Sequence, residues 1–268
     1  MPLLTRYGSR FFLIIFLLLS VLNVSCVTET TKNGKPYTKQ DNKVNLDQAL
    51  GDYVSLANSY LAQGDRENAL RAINKGLAIK PDSPEMLNVL AFYYESDGES
   101  GLAEKEFLKA IDSDKSYTGS YMNYGAFLFS HQRYAEACRT IQKATDDVMY
   151  SKRGDAFTNL GMCYRKVGQE KSAEDAFARS IKHDFRNWRA FLEMAQLKFD
   201  QGEFVESQRY YDEFLKLGSQ SPKSLWLGIR LAHVADDKDK VASYGLFLKN
   251  QYPSSKEYSE FSSWSATH

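Results

Sequence analysis

The stretch LGDYVSLANSYLAQGDRENALRAINKGLAIKPDS, residues 50–83, decides the fold. Tyr53, Leu56 and Tyr60 recur at the spacing of one helix face, and Ala69, Ile73 and Gly76 mark the face of a second helix. Ala57, Ala69 and Gly76 are small enough to let the two backbones approach closely. Between the helices, Gly64 supplies the positive φ that a tight interhelical turn prefers, and Pro81 ends the second helix.

The same markers return every 34 residues. Residues 84–117 carry Leu87, Leu90, Ala91, Tyr94, Gly98, Ala103, Phe107 and Ala110, and residues 154–187 carry Phe157, Leu160, Gly161, Tyr164, Gly168, Ala173 and Phe177. Between them, 118–151 keeps Tyr121, Tyr124, Gly125, Leu128, Ala137, Ile141 and Ala144, but has Gln132 where the turn glycine stands elsewhere. Two extra residues before 154 belong in a loop. In 188–221 and 222–255 the pattern thins to Ala195, Gly202 and Tyr211, then Leu225 and Pro253, with Ser207 replacing a small apolar residue. Such decay suits the end of a stack, where one side has no neighbour. The period and markers resemble the tetratricopeptide repeat. The expectation is an all-α, right-handed superhelical solenoid of six helix hairpins over 47–262, with a C-terminal tail at 263–268.

With 43% hydrophobic and 25% charged residues, the 268-residue chain has ordinary globular composition. Arg6 and Arg10 precede a twelve-residue apolar run, Phe11 to Leu22, interrupted only by Ser20. That is the layout of an export signal over residues 1–25, and the run is short for a bilayer span. Losing Arg6 and Arg10 leaves 32 basic against 34 acidic residues, a net −2, without the basic block a nucleic-acid partner calls for. Leu22-Asn23-Val24-Ser25-Cys26 resembles the lipobox of bacterial lipoproteins, although Leu22 sits one place early. The resemblance implies acylation of Cys26, with ordinary secretory cleavage as the alternative. Val27 after the cysteine, in place of Asp, implies the periplasmic face of the outer membrane. Residues 26–46 are polar and read as a flexible tether.

If Cys26 carries lipid, Cys138 and Cys163 remain, either as a disulfide or as two buried thiols. His131, His183, His233 and His268 are scattered outside any metal-binding spacing, and no nucleophile motif or phosphate-cradling loop is present. The reading is a binding protein, with no enzymatic role, cofactor, metal or small-molecule substrate.

In the repeat family the inner surface is lined by fixed positions of each first helix. Here those positions hold Val54, Asn58 and Leu61, then Phe92, Met122, Phe129, Met162, Leu192, Phe199 and Trp226. An unusually apolar groove is expected, suited to an amphipathic or extended apolar segment of another protein. The peptide-carboxylate clamp known from other such repeats needs a lysine where Val54 stands, so that mode is disfavoured.

More specific stretches add to the generic repeat. They are Asn123-Tyr124-Gly125-Ala126-Phe127-Leu128 with Arg133-Tyr134-Ala135-Glu136-Ala137, Leu192-Glu193-Met194-Ala195, and Gln208-Arg209 leading into Tyr210-Tyr211-Asp212. Near the C-terminus stand Ser224-Leu225-Trp226-Leu227-Gly228-Ile229-Arg230-Leu231-Ala232, Ala242-Ser243-Tyr244-Gly245-Leu246 and Tyr252-Pro253-Ser254-Ser255-Lys256-Glu257-Tyr258. These resemble the PilF/PilW family of type IV pilus biogenesis lipoproteins. The resemblance implies a pilotin, which binds the pilus secretin subunit and promotes its outer-membrane localisation and multimerisation. The alternative is a scaffold of another envelope machine, such as β-barrel assembly or peptidoglycan maintenance.

Overall fold

The computed structural model describes residues 31–32, 35–36 and 39–267, with side chains from residue 45 onward. The chain divides into two compact units, Met1–Gly51 and Asp52–His268. In the first, β1 (Thr31–Lys32) pairs antiparallel with β2 (Lys35–Pro36), and helix α1 (Lys39–Ala62) begins. The second is wholly helical among its described residues. After α1 come α2 (Arg66–Ile79), α3 (Pro84–Ser96), α4 (Ser100–Ser113), α5 (Thr118–Ser130), α6 (Tyr134–Asp146) and α7 (Arg153–Lys166). They are followed by α8 (Glu170–His183), α9 (Trp188–Asp200), α10 (Phe204–Leu217), α11 (Pro222–Val234), α12 (Lys238–Gln251) and α13 (Lys256–Ser265). Successive pairs from α1/α2 to α11/α12 form the six expected hairpins of a tetratricopeptide-type solenoid, and α13 stands alone at the end.

One turn geometry closes every hairpin. Gly64, Gly98, Gly168 and Gly202 have φ between 73° and 78°, and Gln132 (61°) and Asp236 (54°) occupy the same unit position in the other two. In each case the next N–H donates to the carbonyl five residues back: Asp65 to Tyr60, Glu99 to Tyr94, Arg133 to Leu128, Gln169 to Tyr164, Glu203 to Lys198 and Asp237 to Ala232, at 2.9–3.0 Å. This is the Schellman closure, which satisfies carbonyls that the helix end leaves open.

Small residues then set the distance between helices. A Cβ on Gly161 would meet the ring of Phe177, and one on Gly125 would meet Ile141. Phe107, Phe157 and Phe177 are wholly buried, each contributing about 1.5–3 kcal/mol by burial. Ser207, the polar replacement in the fifth unit, is also buried and donates its hydroxyl to the Ala195 carbonyl at 2.7 Å, so the hairpin keeps its close approach without an unpaired hydroxyl.

Three details qualify the sequence reading. Part of the expected tether, 26–46, is structured, because α1 already runs from Lys39. No proline or glycine lies between Pro36 and Gly51, and Lys39, Gln40 and Ala49 are good helix formers. Ser263 to Ser265, expected as tail, belong to α13, where the Trp264 ring lies 5.9 Å from Trp226 and 6.2 Å from Phe261. Cys26 and the export signal lie outside the described residues.

Cys138 on α6 and Cys163 on α7 are joined as a disulfide, with Cα atoms 5.5 Å apart. The bond ties the third hairpin to the fourth where the extra residues lengthen the connection. The insertion itself stays in the α6–α7 loop, with Val148 and Met149 exposed.

Reducing this disulfide is expected to lower global stability by about 3.5 kcal/mol, the chain-entropy value for a sequence separation of 25. Urea titration followed by circular dichroism, with and without reductant, measures it, and coincident midpoints contradict the bond. Separately, Gln132→Gly removes a left-handed non-glycine residue and should raise stability by up to about 1 kcal/mol. A midpoint that falls contradicts the strain at this turn.

Candidate functional site

The first helices of the hairpins carry the residues expected to line a groove. On α1, Val54 and Leu61 are half-buried and Asn58 is exposed. Phe92 on α3 is 36% exposed, its ring set edge-on to the buried Phe107 at 5.2 Å. On α5, Met122 and Phe129 rest on the core cluster containing Phe107, Leu128, Ile141 and Phe157, and Phe129 also meets Tyr134 at 5.2 Å. Met162 on α7 packs against Phe177, Met194 and Leu197. Phe129 and Met162 converge: with Ala126, Ile141, Asn159 and Arg189 they line an open cavity of about 220 Å³.

Other expected groove residues are placed differently. Leu192 is buried among Phe191, Ala195, Tyr211, Phe214, Leu227 and Leu231, so it is core. Trp226 lies under α13, with Phe261 at 6.3 Å and Trp264 at 5.9 Å. The aromatic side chains of α13 cover what a further hairpin would otherwise bury. Phe199 packs beside Phe204 at 5.2 Å, with the Arg230 guanidinium 4.5 Å from its ring centre.

Nor is the face uniformly apolar. The unit positions that pick out the apolar stripe also hold Arg165, Arg189, Lys223 and Arg230, and these tie neighbouring hairpins together. Arg165 reaches Asp200 at 2.5 Å and Glu193 at 3.5 Å, while Lys223 holds the other Glu193 oxygen at 2.5 Å. Arg230 donates to Gln196 at 2.7 Å and lies between Phe199 and Trp226, 4.5 and 5.4 Å from the ring centres. Burial there pushes its pKa down, while Asp200 and Glu260 push back. The face is therefore apolar chiefly at the third hairpin, where Met122, Ala126 and Phe129 stand together, and mixed elsewhere: single apolar residues such as Phe92 and Met162 alternate with Glu85, Glu95, Asp155 and the basic residues above. Counting only apolar residues missed this; the basic residues at the same positions were the available signal.

A third tie sits between the second and third hairpins. Glu104 accepts hydrogen bonds from Tyr124 at 2.6 Å and Arg133 at 2.7 Å. Burial pushes the carboxyl up, but the two hydrogen bonds outweigh it and hold Glu104 below the usual carboxylate value. Burial, followed by the bond to Glu104, pushes the Tyr124 hydroxyl up to about 12.

Among the described residues no cluster of three or more potential ligands could hold a metal ion, and no helix is long and apolar enough to cross a membrane. The first-helix face presents an apolar cavity flanked by polar cross-ties.

Burial separates core from groove experimentally. Leu192→Asp places a charge in the core and should cost about 3 kcal/mol or more, whereas Phe92→Asp should cost about 1 kcal/mol. Denaturant midpoints of the two variants measure this, and equal losses contradict the assignment.

Comparison with known proteins agrees with this architecture. The tetratricopeptide-repeat family profile matches residues 54–118 and 154–186. Type IV pilus assembly protein PilF of Pseudomonas aeruginosa strain PAO1 is 37% identical over 244 residues, covering 91% of this chain and 95% of PilF. A solved structure of Pseudomonas aeruginosa PilF superposes with a TM-score of 0.73 over 82% of this chain and 99% of that one, at 37% identity. The crystal structure of PilW, a type IV pilus biogenesis factor, gives a TM-score of 0.68 at 25% identity, over 80% of this chain and 98% of PilW.

Proposed function

Because this chain belongs to the PilF/PilW family of type IV pilus assembly proteins, we propose that it acts in pilus biogenesis as a binding scaffold for the secretin subunit. In this reading acylated Cys26 holds the protein on the periplasmic face of the outer membrane. The first-helix face takes up an apolar segment of the unassembled secretin, shielding it until the subunits reach the membrane and form their ring. The protein contributes binding and placement, with no bond made or broken.

The observation that carries this reading is the cavity of about 220 Å³ formed by Phe129, Met162 and their neighbours. An apolar recess on a helical surface suits an inserted side chain, and the disulfide between Cys138 and Cys163 braces two of the three hairpins that form it. Lipid anchoring adds to weak segment binding by holding the groove at the bilayer, so that captured subunits are concentrated where the ring forms.

The test uses a strain lacking the gene, complemented with wild type, Cys26→Ala, or Phe92→Asp/Phe129→Asp. Secretin multimers in the fractionated outer membrane are read by immunoblot, and surface pili by shearing. Wild type should restore both. Cys26→Ala should leave the folded protein off the membrane with multimers reduced severalfold, and the groove variant should stay at the membrane yet fail to restore rings. Normal rings with both variants contradict the proposal. Broad loss of outer-membrane proteins in the deletion strain would point to a general envelope scaffold.

A further inference from the structure

Arg189 occupies the first turn of α9 and forms one wall of the 220 Å³ cavity. Its Nη2 donates to Asn159 Oδ1 at 3.2 Å and lies 3.7 Å from the Met162 sulfur, so both of these neighbours are uncharged. Arg165, by comparison, is matched by Asp200 and Glu193, and Lys223 by Glu193, while Arg230 donates to Gln196 but is enclosed between Phe199 and Trp226 away from this cavity. Among the described residues, no carboxylate lies within ion-pair distance of Arg189. Ala126, Phe129, Ile141 and Met162 make the rest of the lining largely carbon.

We propose that this cavity is a subsite for a partner segment in which a large aromatic or branched aliphatic residue is followed closely by Asp or Glu. The apolar side chain fills the recess, and the carboxylate takes two parallel hydrogen bonds from the Arg189 guanidinium. This deepens the groove reading above and rests on it. The carboxylate belongs to a side chain, because the first-helix face runs on to Phe92 on one side and Phe199 on the other, so a bound segment passes Arg189 without ending there.

The chain itself contains a related segment, with the acid placed before the aromatic residues. On α13, Phe261 and Trp264 lie against Trp226, and the adjacent Glu260 favours the charged form of Arg230. An aromatic pair with a neighbouring acid thus already rests on the same helical face at the sixth hairpin. Across the third to fifth hairpins the recess and Arg189 are open to a partner.

The experiment is selection from a phage library of randomised linear peptides, displayed between fixed flanks so that no free C-terminus is offered. The mature chain is the bait, with Arg189→Glu, Arg189→Met and Phe129→Asp in parallel. Wild type should enrich an aromatic or aliphatic residue with Asp or Glu one or two places on. Arg189→Met should lose the acidic preference, and Arg189→Glu should exchange it for Lys or Arg. By fluorescence anisotropy, an enriched acidic peptide should bind Arg189→Met about ten- to a hundredfold more weakly than wild type. An apolar consensus without an acid, unchanged by Arg189→Glu, overturns the subsite and leaves the groove standing. Peptides that bind Phe129→Asp as well as wild type overturn the groove reading itself. Failure to enrich any sequence overturns the subsite, and the secretin assay then decides the groove.

Discussion

Six left-handed turns at one repeat position hold the architecture together. Each is closed by a backbone hydrogen bond spanning five residues, from Asp65 to Tyr60 in the first hairpin through Asp237 to Ala232 in the sixth. The closure reverses the chain at a fixed point, so the small residues of the two helices meet in register and the first helices all come to one face. A single slipped turn would rotate its first helix and break the face in the middle. The tolerance of Gln132 and Asp236 at this position shows that the geometry is imposed by the packing of the hairpin, with glycine the least strained residue to occupy it.

The repeat was legible because its markers have local causes. Glycine at a positive φ, small residues at a close approach and aromatic residues at helical spacing each act within one unit, so they can be read one unit at a time. Even the weak units yielded once the period was known: Ser207 keeps the small side chain its position needs and pairs its hydroxyl within the same hairpin. What escaped depends on the relation between units. Leu192 and Phe92 lie on equivalent helix faces, yet Leu192 is sealed by Tyr211, Phe214 and Leu227 while Phe92 stays partly exposed. No spacing within a unit encodes that difference, because it depends on which neighbours the stack brings over the residue. Trp226 is a similar case, since its cover comes from α13, beyond the last recognisable repeat.

The polar cross-ties explain why a face with several large apolar residues need not collapse on itself. Arg165, Glu193, Lys223 and Asp200 link the fourth, fifth and sixth hairpins through charge-assisted bonds, and Glu104 with Tyr124 and Arg133 links the second to the third. Networks of this kind favour one arrangement of neighbouring helices over others, more than they add net stability. The disulfide does similar work at the lengthened joint between the third and fourth hairpins. The cavity at Phe129 and Met162 lies beside that joint, where rigidity keeps a recess open.

The central claim is that the first-helix face around this recess receives a polypeptide partner, and methionine methyl groups report on it directly. Among the described residues Met122 and Met162 lie on that face, Met86 and Met194 are buried in the core, and Met149 is exposed on the α6–α7 loop. Nuclear magnetic resonance of methyl-labelled methionine, recorded while the periplasmic region of the secretin subunit is added, should shift Met162 most and Met122 next, with Met149 unmoved. A titration that shifts Met149 and leaves Met162 in place would contradict the account.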